Sequence, residues 1–350
     1  MHDSTTSFEV PTVDIGPYLA DTPDPAARAE VAAQLDRACR DVGFVQIVGH
    51  GIPDGVQADL AAALDEFFAL PMEAKKEYRR PGENRGYAPP KSESLSMSLG
   101  VASASAMNDF YEAITIGSEA SEFPGLDLPE ASYSHNTWPE AAQSFREPVE
   151  EYFRRAQALS RTLMIAFTDA LGLDAGYFDS LVDHSIEVMK MNNYALPESE
   201  SEVAGDLTGM GAHTDFGILT VLWADRVPGL QVLGSDGQWH DVQPAEGALL
   251  VNLGDALARW TNDRWRSTIH RVDPPVVDGR IIRRRSAAFF FDGNHDAVIE
   301  TLPGCVAEGE TGYPPITIAD NIAAKLAGMK GGVAPVGLRE AERVLAAQRA

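Results

Sequence analysis

From Gly209 onward the apolar positions come in short runs broken by Gly, Asp and Pro. Ile218–Ala224, Leu230–Leu233, Trp239–Val242, Ala248–Leu253, Ser267–Val272 and Arg284–Phe291 each have the length of a strand. Many short strands with frequent turns predict a sandwich or barrel, here a jelly roll. The first half carries a different period. Asp24-Pro25 is an N-cap followed by Pro at the first helical position, and Val31, Leu35, Ala38, Cys39 and Val42 then recur at helical spacing. Gly43 ends that helix, and the apolar strand Phe44–Val48 follows. Val56, Leu60, Ala63, Leu64, Phe67 and Phe68 stripe a second helix, which Pro71 stops. Phe8–Ile15 reads as an edge strand, because Pro11 is tolerable only there. Asp109–Ile116 alternates like a strand, Asn136–Leu171 contains the longest helix, closed by Gly172, and Val188–Tyr194 is a further strand. Ile316–Gln348 reads as helical.

The expected fold is therefore mainly β with flanking helices. Residues 8–180 form a mainly helical part with a few strands, 187–295 the jelly-roll core, and 316–350 a C-terminal helical segment. No internal repeat or long linker divides the chain, so 1–350 is expected to be one domain. Pro81–Pro90 is turn-rich, and Lys91–Ala106 is rich in Ser and Ala without a period. That stretch fits either a lid over a site or a plain surface loop.

Composition narrows the partners. At 44% hydrophobic and 23% charged, the chain has a soluble, globular composition. No apolar run approaches the length of a membrane span, and the N-terminus lacks a signal-peptide pattern. The two cysteines, Cys39 and Cys305, suggest no pairing and fit a reducing cytoplasm. A net charge of -24 repels nucleic acid and anionic membrane. Any anion the protein uses must then be held by specific local cations, and the expected partner is a small molecule.

Candidate chemistry centres on His213-Thr214-Asp215. A strand points residues i and i+2 to one face, so the imidazole and the carboxylate would project together. They make two-thirds of a 2-His-1-carboxylate metal site, and His270 is the candidate third ligand. Such a set suits Fe(II), although zinc uses the same ligand types. His50, at a strand end before Gly51, reads instead as a hydrogen-bonded structural histidine. Arg284-Arg285-Ser286 follows His270. On a strand Arg284 and Ser286 share a face with Ala288 and Phe290, where a guanidinium and a hydroxyl would grip a carboxylate.

These residues carry a resemblance that runs from about Val10 to Phe291. It covers VPTVDI, GFVQIVGHGIP from Gly43, AKKEY from Ala74, NRGY from Asn84 and DFYEAITIG from Asp109. It continues through NTWP from Asn136, the His213 motif, NLGDALARWTNDRWRSTIHRV from Asn252, and RRSAAFFF from Arg284. The chain resembles the iron(II)- and 2-oxoglutarate-dependent dioxygenases of the isopenicillin N synthase-like class. The resemblance implies a double-stranded β-helix (jelly-roll) core and a single catalytic domain. It implies Fe(2+) on His213, Asp215 and His270, with 2-oxoglutarate as cosubstrate and O2 as oxidant. Arg284 and Ser286 would clamp the distal carboxylate of 2-oxoglutarate, with Asn192 and Tyr194 beside it. Ala195 replaces the family's usual proline there, and Lys190 stands where an arginine is common. The implied reaction oxidises an unactivated C–H bond of a small metabolite, by hydroxylation, desaturation or cyclisation. Specialised metabolism, antibiotic biosynthesis included, is the expected setting. Tyr87, Phe110 and Phe216 are candidate substrate-lining residues. Two branches of the class are iron oxidases that use the same Arg-x-Ser clamp without 2-oxoglutarate, so that alternative stays open, as does a non-catalytic relative.

Overall fold

The computed structural model describes residues 8–92, 99, 109–195, 209–277, 280–306, 309 and 311–331. Its strands are β1 (Thr12–Asp14), β2 (Phe44–Val48), β3 (Gly86–Ala88), β4 (Glu112–Gly117), β5 (Ser185–Tyr194), β6 (Met210–His213), β7 (Leu219–Ala224) and β8 (Leu230–Leu233). There follow β9 (Trp239–Asp241), β10 (Leu249–Leu253), β11 (His270–Val272), the hairpin β12 (Val276–Val277) and β13 (Arg280–Ile281), β14 (Arg284–Asn294), β15 (Val298–Ile299) and β16 (Ile316–Thr317). The helices are α1 (Gly16–Leu19), α2 (Pro25–Asp41), α3 (Asp54–Phe68), α4 (Met72–Lys76), α5 (Arg146–Leu171), α6 (Asp179–Val182), α7 (Asp255–Trp260) and α8 (Ile318–Gly331).

Two sheets face each other. The larger runs β1-β2-β10-β7-β14-β5-β4-β3 and the smaller β6-β11-β8-β9. From β5 to β14 the chain passes repeatedly between the sheets, and apart from the β1–β2 pair every pairing in them is antiparallel. This is the expected jelly roll, extended at each edge of the large sheet by N-terminal strands.

Alternation along the large sheet makes two cores. On β14, Ala287, Phe289 and Phe291 point outward, and Phe289 meets Phe153 of α5 edge-on at a centroid distance of 5.1 Å. Tyr152, Ala156, Leu159, Leu163 and Phe167 of α5 are buried in the same layer with Met189, Met191 and Val221. Between the sheets a second cluster joins Tyr194 and Leu250 to Met210, Leu230, Val232 and Val272. Asp24 caps α2 through hydrogen bonds from the Ala26 and Ala27 amides, and Gly172 closes α5 in the left-handed region at φ 67°.

Several elements depart from the pattern-based reading. The long helix starts at Arg146, after turns that begin at Pro139. Strand β11 begins at His270 rather than Ser267, because Thr268 Oγ1 is tied to the Val42 carbonyl at 2.6 Å. Of the Lys91–Ala106 stretch, residues 93–98 and 100–106 lie outside the described residues, as does 332–350 of the C-terminal segment. Among the described residues no helix is long and apolar enough to cross a membrane.

Candidate metal centre and carboxylate clamp

His213 closes β6 and His270 opens β11, and the antiparallel register places them directly opposite each other. Their ring centroids are 4.3 Å apart. Asp215 does not reach the site by strand alternation, because β6 stops at His213. The turn after β6 delivers it. One donor atom from each of His213, Asp215 and His270 lies within 4.8 Å of the others, and all three residues are buried.

Each ligand is oriented from behind. His213 Nδ1 donates to the Gly211 carbonyl at 2.8 Å and His270 Nδ1 to the Thr268 carbonyl at 3.0 Å. Those bonds fix both tautomers and leave each Nε2 lone pair facing inward. Asp215 Oδ2 accepts from Thr220 Oγ1 at 2.5 Å and from Asn252 Nδ2 at 2.6 Å. The other oxygen, Oδ1, stands 3.8 Å from Nε2 of each histidine. Burial and the neighbouring His270 hold the His213 imidazole far below its ordinary range. Burial alone would raise the Asp215 pKa, but His270, His213 and the two hydrogen bonds outweigh it, and the net shift is downward. Neutral imidazoles and an ionised carboxylate are the forms a divalent metal binds.

The loop that carries Asp215 rests on the start of α7. The Asp255 amide donates to the Asp215 carbonyl at 2.8 Å, and the Ala256 amide to the Gly217 carbonyl at 3.0 Å. The approach is close enough that a Cβ on Gly254 would lie 2.2 Å from the Gly217 oxygen. Asp255 Oδ2 also accepts from Thr214 Oγ1 at 3.2 Å and pairs with Lys325 Nζ of α8 at 2.7 Å. Asn321 of α8 donates to the Phe216 carbonyl at 2.9 Å. Asp109 accepts from the Gly211 amide at 2.9 Å behind His213. Thr220, Asn252, Asp255, Asn321 and Lys325 join the site without being among the residues that strand alternation brings together. The Asn-Leu-Gly-Asp turn after an apolar strand was the one visible signal, for Asn252 and Asp255.

The clamp lies on the inner face of β14. Arg284 pairs in register with Tyr194, and Ser286 with Asn192 and Ala224. Phe290 pairs with Thr220, the residue that holds Asp215, so this face looks at the three ligands. Arg284 is 2% exposed, and its Nε and Nη1 have no hydrogen-bond partner among the described residues. Its guanidinium lies 5.3 Å from the Tyr194 ring centroid. Asn192 donates to Ser286 Oγ at 3.3 Å while its own Oδ1 lacks a partner among the described residues. A buried cation with open N–H groups fits a carboxylate, since leaving such donors unmet is costly. Burial pushes the Tyr194 phenol up to about 12, so it stays a neutral hydroxyl. Lys190, opposite Ala288, shares this inner face and donates to Tyr111 Oη at 3.2 Å.

Arg285 turns the other way. It pairs with Asp65 of α3 at 2.8 Å and with Asp225 at 3.4 Å. Phe110 sits beside Tyr194 at a centroid distance of 6.2 Å, in the inter-sheet cluster. Phe216 directly follows Asp215 and is half-buried. Tyr87 is not brought to the site. It pairs with Ile114 on the outward face, packs on Phe67, and donates to Glu112 Oε2 at 2.6 Å. Its role is to pack the helical layer. His50 is structural as expected: Nδ1 accepts from the Ile52 amide at 3.1 Å, and Nε2 lies 3.1 Å from the Gly247 carbonyl.

Comparison with known proteins gives this geometry its class. Residues 186–293 match the model of the 2OG-Fe(II) oxygenase superfamily, and residues 10–141 that of the non-haem dioxygenase in morphine synthesis N-terminal region. The chain is 38% identical to a 2-oxoglutarate-Fe(II) type oxidoreductase of Emericella nidulans, covering 89% of this chain and 88% of that protein. It is 31% identical to the validamycin A dioxygenase of Streptomyces hygroscopicus subsp. limoneus, over 90% and 85% of the two chains. The crystal structure of a full-length Neurospora crassa protein in complex with alpha-KG and thymine superposes with a TM-score of 0.77 at 30% identity, over 91% of this chain and 96% of that one. The chain belongs to the 2OG-Fe(II) oxygenase superfamily. It is a non-haem oxygenase that takes iron(II), 2-oxoglutarate and O2, and the cosubstrate-free alternative is not favoured.

Proposed function

We propose that His213 and His270, through Nε2, and Asp215, through Oδ1, hold the iron, and that Arg284 and Ser286 hold the distal carboxylate of 2-oxoglutarate. Asn192 and Tyr194 line the same cosubstrate. When bound, the iron and 2-oxoglutarate supply, with O2, the oxidising power that breaks an unactivated C–H bond with release of succinate and CO2. The chain's own part is positional. Thr220 and Asn252 keep Asp215 Oδ2 engaged so that Oδ1 stays available. The inter-sheet cluster around Phe110 and Tyr194 excludes water from the cosubstrate end. The substrate is a small soluble metabolite that enters past Phe216 and Phe110, and its oxidation serves specialised metabolism in a reducing cytoplasm. The superposed fungal structure holds thymine, and the Streptomyces relative is named for validamycin A, so both support a small-molecule substrate.

One observation carries the cosubstrate assignment: the buried Arg284 guanidinium with Nε and Nη1 unpaired, on the face that looks at the ligands. Losing one side of a buried charge-assisted contact costs about 2–5 kcal/mol, roughly 30- to several-thousand-fold in affinity. Arg284→Ala should raise the KM for 2-oxoglutarate by that factor with iron binding near normal. Arg284→Lys should recover only part, since an ammonium lacks the two-pronged geometry. Succinate formation and calorimetric titration with 2-oxoglutarate read the effect. Unchanged affinity in Arg284→Ala would remove the assignment.

A further inference from the structure

A second group of metal-type donors lies at the other end of the β5–β14 pair. His184 directly precedes β5, and His295 and Asp296 directly follow β14. One nitrogen of each histidine and a carboxylate oxygen of Asp296 lie within 4.8 Å of one another. The ten register pairs from Arg284–Tyr194 to Asn294–Ser185 separate this group from the clamp. At a rise of about 3.3 Å per residue that is roughly 30 Å from the clamp, and the group shares no residue with the His213, Asp215 and His270 set.

The side chains are arranged for a cation. Asp183 Oδ1 accepts from His184 Nδ1 at 2.6 Å and is itself held by Asn294 Nδ2 at 2.7 Å. That contact fixes the His184 tautomer and aims Nε2 at Asp296 Oδ1, 3.0 Å away. His295 Nδ1 is buried, has no hydrogen-bond partner among the described residues, and lies 3.8 Å from the same Asp296 oxygen, too far to bond it. The His295 ring is pinned edge-on against Tyr133 at a centroid distance of 5.9 Å. Tetrahedral zinc with bonds of about 2.0–2.1 Å sets neighbouring donors roughly 3.3 Å apart, and the two measured separations straddle that spacing. A cation seated there would meet the His295 lone pair that the protein leaves unmet. Side-chain exposures of 14% for His184 and 22% for His295, against 62% for Asp296, make a half-open site with room for water as fourth ligand.

We propose that His184, His295 and Asp296 form a second divalent-metal site of the zinc type, with Asp183 as the positioning carboxylate behind His184. The site is structural. It ties the start of β5 to the end of β14, where the His295 carbonyl accepts from the Ala319 amide at 3.0 Å as α8 begins.

Zinc titration of the full-length protein tests this, with bound metal counted after desalting and thermal unfolding followed alongside. Wild type should hold two equivalents, one of them in the buried triad. His213→Ala/Asp215→Ala should keep one equivalent and still be raised in Tm by zinc. His184→Gln and the exposed Asp296→Asn should each lose the other equivalent, and Asp183→Asn should weaken it by about 10- to 100-fold. A wild type that holds a single equivalent overturns the site. So does a second equivalent that survives both His184→Gln and Asp296→Asn.

Discussion

Removing the Lys325 ammonium should loosen the metal loop from a helix that supplies none of its ligands. Lys325 Nζ and Asp255 Oδ2 are 2.7 Å apart, with side chains only 10% and 8% exposed. The same carboxylate oxygen receives the Thr214 hydroxyl, and the Asp255 amide holds the Asp215 carbonyl. In Lys325→Met the carboxylate stays buried with one neutral donor in place of a cation. Breaking a buried pair from one side costs about 3–5 kcal/mol, against about 0–1 for an exposed pair. The expected loss of unfolding free energy is about 3 kcal/mol, the lower end, because Thr214 still donates. That is roughly a hundredfold change in the folding constant. Urea denaturation of the metal-free protein measures it. Asp255→Asn in the same background should recover part of the loss, since it removes the stranded charge. Iron affinity should fall in the single variant as the loop gains freedom. A loss under 1 kcal/mol, with iron affinity unchanged, would show that α8 does not brace the loop.

Asn252→Ala should lower iron affinity by about 10- to 100-fold and leave 2-oxoglutarate binding to the iron-free protein intact, because it frees Asp215 Oδ2 without touching the clamp. Metal titration with and without 2-oxoglutarate separates the two effects. Arg285→Ala should not change the KM for 2-oxoglutarate, because its guanidinium pairs with Asp65 and Asp225 on the other face of the strand. A crippled cosubstrate KM there would mean the strand register is off by one. His213 is held neutral below the ordinary histidine value of about 6.5, so protons should not displace it as pH falls through that value. Proton NMR of the metal-free protein should then show no titration of the His213 ring between pH 7.5 and about 6, and a titration of that ring in this window would contradict it.

What the sequence revealed depended on whether the signal was local. Alternating apolar positions and turn residues after Gly209 exposed the jelly roll, since a period of two is written along each strand. The His213 and Asp215 pairing was visible from spacing of two, although a turn rather than a strand delivers the aspartate. Arg284 and Arg285 could be told apart because alternation alone decides their faces. Thr220 and Lys325 carry no local signal, since only tertiary folding brings them to Asp215 and Asp255. Tyr87 packs away from the site for a related reason. Strand β3 lies at the far edge of the large sheet, and nothing local reveals that this tyrosine faces the helices.

The β14 strand also limits how the gene can vary in length. Every second residue from Arg284 to Phe290 faces the interior between the sheets, and the ones between face the greasy helical layer. Losing one codon inside this stretch would exchange the two sets downstream of it, sending Phe289 and Phe291 toward the metal ligands and turning Phe290 into the packed layer. Chain length here is therefore constrained as tightly as the identity of any ligand.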